Sequence, residues 1–332
     1  GGVDIAGGPA AHLFVVNGAD VNVENLNGLT YNGIGVPSAN GPSDVLMDYK
    51  SQHPEAYAEL LDVLFGGDHP IMTHVKMEMG NDRNNSTGPE AATMRAEDEA
   101  ANVLRNPGWQ LAADAKKLNP DVKVSILNWN APVWAGRDAD KVYKWYTDTI
   151  LAAYREYGYM VDYVNPNVNE HWESAYVQAT INYANRVKAD NEGFESAEEQ
   201  ALFNAIKIVV SDEVGTGSFG GTLYSNQAFH NAVDVAGFHY SPHDDSAGNF
   251  KRFAEVSDKE VWNSEAQATF SNSAFRPNNN VADPTVPGTG IGGNGSALEM
   301  ANTLVKGFVN SRRTHVIYQP AIGSFYEGGQ YS

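Results

Sequence analysis

The sequence predicts an α/β fold, a (β/α)8 barrel (TIM barrel) lacking its last helix in this chain, and three observations predict it. Eight runs rich in β-branched and aromatic residues alternate with stretches of helical spacing. Two long loops both follow strands, on the side where such barrels work. Two of the runs, Val161–Ser174 (VDYVNPNVNEHWES) and Glu260–Gln267 (EVWNSEAQ), carry Glu170 and Glu265 at strand ends. A doubly wound open sheet shares the alternation, but usually with fewer strands and a glycine-rich phosphate loop after the first; no such loop stands there.

Composition narrows the function. The 332 residues are 42% hydrophobic, ample for one large core, and 22 Lys+Arg against 41 Asp+Glu leave a net charge of −19. That charge argues against nucleic acid or an anionic membrane as partner. With no cysteine there is neither a disulfide framework nor thiolate chemistry. No signal peptide precedes Gly1-Gly2, and no apolar run is long enough to span a bilayer, so membrane insertion is not expected. The chain reads as a mature or trimmed form of a secreted or cell-surface bacterial protein.

Residues 1–29 form an irregular lead-in, with an accessory strand at His12–Val16, and residues 30–332 the barrel. Strand one is Thr30–Val36, whose glycines suit a tight barrel interior. Ser38–Ser51 reads as a loop, and Pro54–Phe65 as a helix opened by proline and closed by Gly66-Gly67. Strand two, Ile71–Met79, alternates so that His74, Lys76 and Glu78 share one face. Asn81–Asn106 is a long polar connection, Trp109–Leu118 a helix, and Val122–Trp129 strand three. Helix Ala139–Tyr157 ends at Gly158, strand four opens Val161–Ser174, and helix Glu173–Val187 follows. Lys188–Ile206 is a charged excursion with a helical turn or two. Strands five, six, seven and eight are Lys207–Val214, Val233–Tyr240, Val261–Gln267 and His315–Ile322, with helix Ala297–Ser311 before the last. The loops Asn81–Asn106 and Phe270–Ser296 read as lids or substrate walls.

The ends of strands four and seven face each other across a barrel mouth, so Glu170 and Glu265 meet although 95 residues separate them. Either carboxylate alone reads equally well as a helix N-terminal acid favoured by the macrodipole. Together they match the pair that a retaining glycosidase needs about 5–5.5 Å apart, one as acid/base and one as nucleophile. Glu170 takes the proton-donor role and Glu265 the nucleophile's. Asn169 directs its amide at the sugar 2-hydroxyl, and His239-Tyr240 hold the nucleophile ionised. Trp129, Trp134 and Trp172 fall at strand ends, where aromatic faces stack on sugar C–H surfaces. No H-E-x-x-H and no G-x-S-x-G is present, so neither zinc hydrolysis nor a serine hydrolase is supported; no metal and no cofactor are expected. His239-x-x-x-His243 with Asp244-Asp245 has donors for a metal, but a loop of that composition is more often simply solvated.

The motifs NGLTYNGIGVPSANG, VKMEMGND, LNWNAPVWAG, VNPNVNEHWES, IVVSDE, VAGFHYSPH and VWNSEAQAT resemble, in order, the strand motifs of the galactocerebrosidase family, glycoside hydrolase family 59 of clan A. The likeness runs from about Tyr31 to Glu327. It implies Glu170 as acid/base, Glu265 as nucleophile, Asn169 as the adjoining asparagine and Trp129 as a galactose-contacting tryptophan. Ser86 or Thr87 lies near the family's threonine contact. Gln319 stands where the family has a tryptophan platform, the loops Lys188–Ile206 and Phe270–Ser296 are longer, and the family's downstream β-sandwich and lectin-like domains are absent from these residues. The expectation is a β-galactosidase-like enzyme acting on a glycan or glycolipid, with further domains elsewhere in a longer protein. The alternatives are another clan-A activity (β-glucosidase, β-xylanase or endo-galactanase) or a barrel that binds carbohydrate without cleaving it.

Overall fold

The computed structural model describes residues 15, 17, 19, 29–37, 40–85, 88–267 and 294–319. Eight parallel strands close on themselves: β1 (Gly33–Pro37), β2 (Met72–Met79), β5 (Lys123–Asn128), β6 (Tyr163–Val168), β7 (Lys207–Val214), β8 (Val235–His239), β9 (Glu260–Gln267) and β10 (Arg313–Gln319). The last strand pairs with the first, His315 beside Gly33 and Ile317 beside Gly35. Strands β3 (Asn84–Asn85) and β4 (Gly88–Pro89) form a separate two-stranded hairpin in the loop after β2. The fourth and seventh barrel strands are therefore β6 and β9, as the sequence implied.

The helices are α1 (Asn40–Gln52), α2 (Pro54–Phe65), α3 (Pro107–Leu118), α4 (Ala139–Tyr157), α5 (Ala175–Ala189), α6 (Ala197–Asn204), α7 (Thr222–Ser225), α8 (Gln227–Ala232), α9 (Asn249–Glu255) and α10 (Asn294–Ser311). Their limits follow local chemistry. Asp138 caps α4 by accepting from the amides of Asp140 and Lys141, and Gly158 closes it at φ 78°, a left-handed turn that glycine adopts without steric cost. Asn106 caps α3 through the Gly108 amide. Among the described residues, no helix is long and apolar enough to cross a membrane.

One expectation is corrected. Ser38–Ser51 was expected to be a loop, yet α1 occupies it, with Gly41-Pro42 at its start. The proline sits in the first turn, where no intrahelical N–H bond is lost. Beyond it Leu46 is buried, and Lys50 reaches Asp114 on α3 at 2.6 Å. Likewise, Asn81–Asn106 is well packed where it is described, with Ala92, Thr93, Met94 and Val103 all buried. Strand His12–Val16, the loop Phe270–Ser296 and the segment after Gln319, where an eighth helix was expected to be missing, lie essentially outside the described residues.

The main core lies between strands and helices and includes Trp109, Trp145, Tyr146, Phe203, Phe229 and Phe250. Inside the barrel the inward residues form layers. From the N-terminal ends to the middle of the strands sit Tyr163, Val209, Val235, Trp262 and Ile317, with His74 and His315 toward the N-terminal side. Toward the opposite mouth the inward residues become charged: Lys76, Glu78, Asp212, His239 and Glu265 are each almost fully buried.

Candidate active site

The charged layer is built from five strands. On β2 the period-two alternation turns Lys76 and Glu78 inward. On β7 the strand bulges between Ser211 and Glu213, and Asp212 there has φ 59°. β8 ends on His239, followed by Tyr240 at φ 66°; just beyond β6 comes Glu170 at φ 52°. These left-handed residues re-aim the chain at the mouth. Hydrogen bonds hold the turn: Glu170 N–H donates to the Asp212 carbonyl (2.9 Å), Asn169 N–H to that of Asn128 (2.8 Å), and Tyr240 N–H to that of Glu265 (3.0 Å).

The side chains converge. Carboxylate oxygens of Glu170 and Glu265 and a nitrogen of His239 lie within 4.8 Å of one another. The Tyr240 hydroxyl stands 2.8 Å from an oxygen of each carboxylate, with one proton to donate. His239 Nδ1 stands 2.9 Å from both Glu170 Oε1 and Glu265 Oε2, and its Nε2 stands 3.0 Å from Asp212 Oδ1. Lys76 Nζ donates to Asp212 Oδ1 (2.6 Å) and to the Ser264 carbonyl (2.9 Å), while Asn165 donates to Asp212 Oδ2 (2.7 Å). The spacing of Glu170, His239 and Glu265 would also suit a cation. Here, however, both imidazole nitrogens face carboxylates, an arrangement that holds protons.

Charge settles the protonation states. Burial alone would strip the proton from His239, but Glu265, Asp212 and Glu170 reverse this and push it up to about 10. Burial would likewise raise Asp212 and Glu265. Lys76 and His239 hold Asp212 far below the carboxylate range, and His239, then Lys76 and Tyr240, hold Glu265 below its ordinary value. Burial and the neighbouring Glu265 anion push Glu78 up to about 8, against the pull of Lys76 and His239. At neutral pH the layer thus holds an ionised Glu265, an ionised Asp212, an imidazolium and a protonated Glu78.

The remaining expected residues divide. Asn169 is buried beside Glu170 with its Oδ1 unpartnered. Trp129 follows β5, half-buried, its amide bonded to the Met79 carbonyl (2.9 Å). Trp134 donates its indole N–H to the Met94 carbonyl (2.9 Å) and packs against the main core. Trp172 meets Tyr176, Phe219 and Phe229, ring centroids 5.7–5.8 Å away. The contacts described for these last two tryptophans are packing contacts, not contacts with the two carboxylates. Ser86 and Thr87 lie outside the described residues, as does the side chain of Gln319. Sequence reasoning did not single out Asp212, Lys76 or Asn165. The signal for Lys76 was available: a lysine in mid-strand, on the same face as His74 and Glu78, must be neutralised inside a barrel.

A closed (β/α)8 barrel that brings two glutamates together at the C-terminal ends of its fourth and seventh strands has the architecture of a glycoside hydrolase. The chain belongs to glycosyl hydrolase family 59, whose model matches residues 31–332. It is 28% identical over 331 residues to the galactocerebrosidase of Mus musculus, covering 95% of this chain and 41% of the mouse protein. It is 25% identical over 309 residues to that of Danio rerio, covering 90% and 40%. The chain thus spans about two fifths of the length of these relatives. In fold it is similar to SrfJ from Salmonella typhimurium (TM-score 0.65, 15% identity, covering 91% of this chain and 69% of that one). It is also similar to an endo-beta1,6-glucanase (TM-score 0.60, 15% identity, covering 87% and 65%).

Proposed function

We propose that this chain is the catalytic barrel of a retaining β-glycosidase acting on a β-linked galactoside by double displacement. The observation that carries the reading is the distance between the carboxylates, within 4.8 Å. Retention needs about 5–5.5 Å, whereas inversion leaves roughly 6.5–9.5 Å for a water. In the first step Glu265 attacks the anomeric carbon, the glycosidic C–O bond breaks, and Glu170 gives its proton to the departing oxygen. In the second, Glu170 takes a proton from water, whose oxygen displaces Glu265. Tyr240 suits both steps. A hydroxyl has one proton to give, so one carboxylate receives it while the other, when protonated, meets the oxygen's lone pair.

The galactose preference rests on the relatives, which are named galactocerebrosidases. A panel of nitrophenyl β-glycosides tests it, with the galactoside expected to be hydrolysed fastest. Following the product by NMR tests the mechanism: the β-anomer should appear first, and an α-anomer would overturn the reading.

A further inference from the structure

We propose that Asp212 and Lys76, which touch no reacting atom, are positioning residues that lock a proton on His239 while Glu265 changes charge, so that Glu170 stays free to act as base. This rests on the retaining mechanism above.

Asp212 is pinned at both oxygens, by Lys76 and His239 at one and Asn165 at the other. Its main-chain carbonyl also holds Glu170 by accepting a hydrogen bond from the Glu170 N–H. Lys76 adds a second bond to the carbonyl of Ser264, next to the nucleophile. The groups that face His239 are Glu170, Asp212, Tyr240 and Glu265, with Lys76 and Glu78 from β2 close by.

The need arises between the two steps. Once the sugar is bonded to a Glu265 oxygen, that carboxylate has become a neutral ester, and Glu170, having given its proton to the leaving group, is an anion. The imidazolium Nδ1–H still points at Glu170 Oε1, 2.9 Å away. If that proton crossed, His239 and Glu170 would both become neutral, and Glu170 could no longer accept a proton from water. Asp212 opposes the transfer because its charge, on the Nε2 side, favours the imidazolium. Lys76 opposes it indirectly by keeping Asp212 ionised.

The test uses Asp212→Asn, which keeps the shape and removes the charge, with a dinitrophenyl β-glycoside as substrate. The expected result is a burst of one equivalent of dinitrophenol at a rate within about twofold of the parent, followed by steady turnover slowed by up to the roughly 10²–10⁴-fold that general base catalysis contributes. Azide, which needs no base, should restore turnover. Lys76→Met should behave likewise and Lys76→Arg should not. Both steps slowed alike, or no azide effect, would overturn the proposal. NMR titration of His239 in the unaltered protein decides independently of how the variants fold: an imidazolium persisting beyond pH 8 is expected, and titration near 6.5 sinks the idea. If the protein cleaves no glycoside at all, the mechanism has failed, and the titration still judges the lock.

Discussion

The two ends of the barrel interior bury the same residue type in opposite states. At the charged mouth, His239 is pushed up to about 10. At the other end, His74 is held well below its ordinary value, by burial first, and His315 is pushed down to about 4 by burial. All three are buried, with 0–2% of their surface exposed, so depth does not separate them. Partners do. His74 meets the Ser125 hydroxyl (2.6 Å) and the rings of Tyr163, Trp262 and His315, and His315 Nδ1 donates to the Gly33 carbonyl (2.8 Å). Among the described residues, neither has a carboxylate within hydrogen-bond reach. Gly35 makes the histidine pair feasible, since a Cβ there would come within 2.8 Å of the His74 Cβ and 3.3 Å of His315 Nε2. One end is a neutral aromatic floor and the other an ionic machine.

Removing Glu265, the proposed nucleophile, should do most to break this division. Glu265→Gly is expected to lower kcat on every substrate by more than the roughly 10⁴-fold ceiling of general acid catalysis. Formate or azide entering the space should return an α-glycosyl product. Glu170→Ala should cost about 10²–10⁴-fold on substrates with poor leaving groups and little in glycosyl-enzyme formation from a dinitrophenyl glycoside. Azide should then yield a β-glycosyl azide. Products of the same configuration from both variants would dissolve the assignment of roles.

The histidines sharpen the comparison through stability. A histidine whose proton is harder to gain when folded costs stability as pH falls below the unfolded value near 6.5, because only the unfolded chain binds the proton. For His315 that window runs from about 6.5 down to about 4 and is worth roughly 3 kcal/mol. His239 has the opposite sign: its contribution is complete below about 6.5 and is lost as pH rises through about 10. Urea melts between pH 4 and 10 should therefore show His315→Gln flattening the acid side and His239→Gln the alkaline side. The smallest effect is expected at the rim. Trp134→Phe removes one hydrogen bond, worth about 1 kcal/mol, and should leave KM unchanged if the Met94 contact is the ring's main task.

Much of this was legible in the chain. The eight strands, their order and the two glutamates follow from periodicity and from carboxylates at strand ends. Pro54, Gly158 and Asp138 mark helix limits by chemistry that is local in sequence. What escaped depends on closure. Asp212 lies 136 residues from Lys76 and 27 from His239, and nothing near it in sequence announces either partner. Helix α1 escaped because its first turn carries a glycine and a proline, and part of what holds it is a tertiary contact, Lys50 with Asp114. Trp134 and Trp172 show the reverse hazard, since an aromatic at a strand end can as easily face the helices as a ligand.

The left-handed backbone at Glu170, Asp212 and Tyr240 has a consequence for anyone who evolves this protein for heat resistance. A non-glycine residue at such a φ carries strain of order 1 kcal/mol or more, which glycine would release. At Asp212 the gain is outweighed, because Lys76 would be left buried without its counterion. At Glu170, about a third exposed and crowded by another carboxylate, the opposition is weaker, because Tyr240 and His239 both keep Glu265 as a partner. Selection on melting temperature alone should therefore collect Glu170→Gly, a sturdier protein without the proposed acid/base. A library meant to keep catalysis has to hold position 170 constant.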